Sequence, residues 1–253
     1  QNNVAIGYQA LDANTTGNHS VAVGKGALTA ATTASNNNCI GINAGLTVTT
    51  GSENVALGSN TLRGTEVTGN YNVAIGNGAL GDITSASENV AVGYTALAEN
   101  TTGTRNVAVG TDALDSNTTA SDNTAIGHDA LTANTTGQLN TAVGAFALDA
   151  NTTGSGNSAF GHNSLTANTT GYNNVGLGQE ALRQNTQGYE NTSVGRASME
   201  ENTTGIQNTA VGNKAFQKNT TGDANVAIGA FALDANTTAD LNTAVGASAL
   251  AAN

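Results

Sequence analysis

A chain of 253 residues with 32 Gly, no Pro, no Trp and only 10% charged residues has the composition of a polar low-complexity chain, not of an ordinary globular domain. Its net charge of −11, with only seven Lys and Arg, excludes nucleic acid as a partner, because phosphate binding needs clustered cations. Cys39 is the sole cysteine, so no disulfide can form within the chain, and no apolar run approaches the ~20 residues of a membrane-spanning helix.

One period governs the sequence. Gly7, Gly24, Gly41, Gly58, Gly76, Gly93, Gly110, Gly127, Gly144, Gly161, Gly178, Gly195, Gly212, Gly229 and Gly246 are spaced by 17 residues, except for one gap of 18 after Gly58. A short period over a whole chain is the signature of a solenoid, which grows by adding coils and not by closing a globular core. This overrides the one or two domains that the length alone suggests. The reading is an all-β fold: one continuous single-chain parallel β-solenoid over residues 1–253, of about 15 coils. Gln1 falls just before a repeat and Asn253 partway through one, with no initiator Met, signal peptide or polar cap. A piece of a longer array is therefore expected.

Within each repeat the glycine is position 5, as in Asn140–Gly156, NTAVGAFALDANTTGSG. Position 1 is Asn3, Asn54, Asn72, Asn89, Asn106, Asn123, Asn140, Asn157, Asn174, Asn191, Asn208, Asn225 or Asn242 in thirteen repeats, Asn37 in another, and Ser20 in the last. Positions 1–5 alternate as a strand does. Position 3 is always small and position 4 always Ile, Val, Leu or Phe160. The stricter apolar character of position 4 predicts that it faces the coil interior and that position 3 faces out. Small residues on every rung of that outer face predict a neighbouring chain close against it. Position 9, Leu in twelve repeats, is the second interior wall, since the Ala-Leu segment is too short for a helix.

Seventeen residues suit two short strands and two turns. The glycines at positions 5 and 15 supply the corners, where positive φ or close packing is expected. Asn at positions 1 and 12 would stack into amide ladders along the axis. The extra residue of the 18-residue repeat is expected as a bulge near Thr65–Thr68.

The strings Asn-Val-Ala-Ile-Gly at Asn3–Gly7 and Asn225–Gly229, and Ser-Val-Ala-Val-Gly at Ser20–Gly24, resemble the head repeat of YadA-like trimeric autotransporter adhesins. That resemblance implies a left-handed parallel β-roll, three chains around one axis, and adhesion. The period departs from it, because the adhesin repeat is shorter and lacks the Ala-Leu-x-x-Asn-Thr-Thr-Gly half. The longer unit looks more like repeats of phage tail fibres and related surface fibres.

Candidate chemistry is sparse. His19, His128 and His162 have no recurring carboxylate or nucleophile beside them, so no enzyme is expected. Asp12, Asp115, Asp149 and Asp234 share position 10, but Thr, Arg and Ala also occupy it, so no repeated metal site is expected. No phosphate-binding glycine motif occurs, and no cofactor is expected. Asn-Thr-Thr is also a glycosylation sequon, at Asn14, Asn100, Asn117, Asn134, Asn151, Asn168, Asn202, Asn219 and Asn236, and the inward ladder is the preferred reading of it.

The function expected is a structural or adhesive segment of an extracellular fibre, on a phage tail or a bacterial surface. It is expected to form a homotrimer that presents or carries a surface binding a host receptor or glycan. Possible surface contacts are Tyr8, Tyr94, Phe146, Tyr172, Tyr189 and Phe231, aromatic groups at variable positions. The alternatives are an ice-binding solenoid, from the Thr at positions 13 and 14, and a self-assembling filament or glycosylated surface-layer component. Against ice binding, adjacent Thr residues point to opposite faces, so only one flat file can form.

Overall fold

A computed structural model describes residues 2–252; Gln1 and Asn253, the ends of the expected array, lie outside the described residues. The chain is an all-β solenoid of tandem repeats, and it divides into two compact units, Gln1–Asn123 and Thr124–Asn253. In the first, β1 (Val4–Ile6) through β7 (Val107–Val109) pair in parallel in chain order. In the second, β8 (Thr124–Ile126) through β15 (Thr243–Val245) do the same. Partners lie one repeat apart, as in Ala5↔Ala22 and Ala142↔Ala159, and identical positions therefore stack.

The strand faces the opposite way from the sequence expectation. Position 3 is buried in every strand from the second coil onward, while positions 2 and 4 are half-buried or exposed. The interior is narrow: Ala at positions 3 and 8 meets Leu at position 9, and no room remains for a second large side chain. Small size, not strict apolarity, marks the inward file. Departures from this pattern compensate one another within a coil or between adjacent coils. Gly45 stands where other coils have Leu, and a Cβ there would lie 2.7 Å from Cys39 Sγ, the side chain that fills the space. Gly176 replaces an inward Ala beside Ser164, whose hydroxyl donates to the Gly176 carbonyl at 2.9 Å.

Each described coil has one three-residue strand, not two. The rest is a run of turns, and its winding depends on left-handed backbone. Position 5 glycines have φ of 123° to 145°, and a Cβ on Gly144 would lie 2.6 Å from the Gly161 carbonyl. Positions 7, 9 and 17 are also left-handed in every described coil, mostly without glycine: Phe146 at 58°, Leu148 at 53° and Leu139 at 59°. The glycines at position 15 do not take this conformation; of the two reasons expected for them, close packing is the one that holds, since a Cβ on Gly103 would collide with the Ala120 carbonyl oxygen. They are buried against the next coil, where Ala34, Ala86 and Ala120 show that at most a methyl group is admitted.

The extra residue lies at Thr65–Glu66. Thr47 Oγ1 donates to the Gly64 carbonyl across 17 residues, whereas Thr49 N–H donates to the Val67 carbonyl across 18. Val67 is buried and bridges Val48, so the regular register resumes there.

Candidate functional site

Two amide ladders lie inside the coils. Asn54, Asn72, Asn89 and Asn106 at position 1 are fully buried. The Nδ2 of each donates to Oδ1 of the Asn one coil before, at 3.1 to 3.2 Å, and the backbone N–H of each donates to the same oxygen. The second unit repeats this, as in Asn157 to Asn140 and Asn225 to Asn208. Ser20 preserves the rung, its hydroxyl accepting from Asn37 N–H at 3.2 Å. The position 12 ladder runs from Asn134 to Asn219 in the second unit, each Nδ2 donating to the preceding Oδ1. In the first unit Ala31, Val48, Val67 and Ile83 take its place, and only Asn117 to Asn100 makes the bond between rungs.

Both ladders also close their own coil. Nδ2 of Asn89 and of Asn100 converge on the Gly103 carbonyl, at 3.0 and 2.9 Å. A buried amide with its donors and acceptor engaged meets the requirement for placing polar groups in so thin a core. The sequon residues Asn100, Asn117, Asn134, Asn151, Asn168, Asn202 and Asn219 are completely buried, and no glycan can be attached to them in the folded chain.

The aromatic positions do not gather into one site. Tyr8 and Tyr94 are exposed at position 6 of coils far apart, and Phe231 is exposed at position 7 near the end of the second unit. Phe146 packs edge-on between His128 and His162, with centroids 5.3 and 6.0 Å away. Tyr172 and Tyr189 stack at 4.6 Å, nearly parallel. Desolvation in that stack, with Tyr189 and Glu190 nearby, raises the Tyr172 phenol.

The polar candidates are also dispersed. His128 Nδ1 lies 3.0 Å from the Asp129 carboxylate. Burial, and then Asp129, raises the Asp149 carboxyl. Within each unit, no two of the position 10 aspartates stand on adjacent coils. Thr hydroxyls at position 13 are committed to the next coil's carbonyl, as in Thr32 to Thr49 and Thr152 to Thr169, and position 14 alone presents an exposed file.

Two surface features lay outside the sequence reading. The first is the outward strand face. Ile40, Ile75, Phe160, Leu177 and Ile228 are exposed on it, Leu177 to 47%, with the uncharged Asn38, Val73, Ser158, Val175 and Val226 of position 2 alongside. None of the fifteen repeats has a charged residue at positions 1–5, in a chain of net charge −11. The always-small position 3 was the signal for this face, read as room for a neighbouring chain outside instead of as the narrow interior of the coil itself. The second feature is an open notch of about 510 Å³ at the 18-residue repeat, lined by Leu46, Arg63, Gly64, Thr65, Asp82, Thr84 and Thr101.

A scan against protein-family models matches none, and a search of the curated proteins finds no match.

Proposed function

We propose that this chain is a structural segment of an extracellular fibre in which three solenoids associate through their strand faces, and that the assembly serves adhesion. The uncharged apolar face supports this reading most. Exposed contiguous apolar surface marks an interaction site in a water-facing protein. A second copy fits it, because both partners rise by the same ~4.8 Å per strand and both are neutral there. Elsewhere the carboxylates of two chains of −11 would repel. The role is mechanical, not enzymatic, and the resemblance to adhesin and tail-fibre repeats points the same way.

Light scattering of the chain under native conditions tests it. The expected mass is about three times 25.0 kDa, and a monomer at micromolar concentration overturns the proposal.

A further inference from the structure

The notch on the first unit interrupts an otherwise uniform array, and several unrelated departures from the repeat meet there. The third to fifth coils contain the one inserted residue and the only Leu at position 10, Leu46. They also contain the only Gly at position 11, Gly64, and the only Gly at position 10, Gly81. The position 12 amide ladder is lost over the same coils. A repeat breaks its own rules where something other than folding is selected. Gly64 removes a side chain from the notch wall, and the insertion displaces the chain around Thr65–Glu66.

The free chemistry of the notch is specific. Arg63, Thr65 and Asp82 are exposed, and their side chains make no hydrogen bond or ion pair to the rest of the described chain. A guanidinium offers several donors, a carboxylate only acceptors, and a hydroxyl both. Leu46 adds an apolar surface to the same notch. A sugar ring has matching needs: hydroxyls that donate and accept, and an apolar C–H face. Asp82 opposes a simple anion, because its carboxylate repels one beside Arg63.

We infer that this notch binds a neutral saccharide residue, with Arg63 donating to its oxygens, Asp82 accepting from adjacent hydroxyls and Leu46 against the ring. The inference does not rest on the fibre reading, since a monomer would carry the same notch.

Saturation-transfer NMR on the 253-residue chain tests it, with the methyl glycosides of glucose, galactose, mannose and N-acetylglucosamine, and with methyl glucuronide. At least one neutral glycoside is expected to give a signal that saturates at millimolar concentration. Arg63→Ala and Asp82→Asn are each expected to weaken it about tenfold without changing the melting temperature. Deleting Glu66, which restores the 17-residue spacing, is expected to abolish it, and Arg196→Ala in the second unit to leave it intact. The proposal fails if no neutral glycoside gives a signal or if the signal survives both notch substitutions. It also fails if only the glucuronide binds and depends on Arg63 but not on Asp82, which is the behaviour of an anion site.

Discussion

Asn157 shows how much a single side chain does in this fold. Its Oδ1 accepts from Asn174 N–H at 3.0 Å, while its Nδ2 donates to Asn140 and to the Gly171 carbonyl. Replacing it by Ala strands a buried donor and a buried acceptor, so Asn157→Ala is expected to cost roughly 2–4 kcal/mol in urea denaturation. Asn242, which is only half-buried, is expected to cost clearly less. Cys39 has the opposite character, a buried group with no partner to find. Burial pushes its thiol from 9.0 up to about 12. The unfolded thiol therefore releases its proton first, and stability present below pH 9 is lost as pH rises toward 12. Cys39→Ala is expected to decline less between pH 8 and pH 10 in the same denaturation experiment. A native thiol-reactivity assay at pH 8 is expected to show no reaction until the chain is unfolded.

At the scale of the coil, the left-handed residues decide the path of the chain. Leu148 combines complete burial with φ of 53°, a conformation that β-branched residues tolerate worst. Leu148→Met and Leu148→Ile keep the volume of the side chain, so their difference isolates the backbone. The Ile variant is expected to be about 1–2 kcal/mol less stable than the Met variant by thermal denaturation. The period, the glycine corner at position 5 and the stacking of Asn were legible because each repeats without exception or nearly so. The inward face was not. Alternation shows that two faces exist, but Val21-Ala22-Val23 reads equally well either way until the width of the coil is known. Nor could the sequence show left-handed Leu and Phe, because glycine, the residue that normally advertises positive φ, is absent from most of those positions.

For the whole molecule, the two surface features make separate claims. Leu177→Lys and Ile228→Lys place charges on the exposed strand face without touching the interior. Light scattering is expected to show loss of the oligomer at an unchanged circular dichroism spectrum. The 18-residue gap was visible in the sequence, and so was its approximate place. That it opens a notch depended on Leu46, Gly64 and Asp82 arriving beside one another from three different coils, and spacing within one repeat cannot report this.

The ladders also bear on how such a chain changes over generations. Every rung takes its partners from the repeats immediately before and after, and each Asn amide is oriented the same way. A gene that duplicates or loses a whole repeat by unequal recombination leaves each remaining rung with an equivalent neighbour. A change of a single codon has to be taken up inside one turn, as the residue added at Thr65–Glu66 is, before the register can resume. Length is thus a heritable trait that moves in steps of one coil, and selection can adjust it without having to invent a new fold.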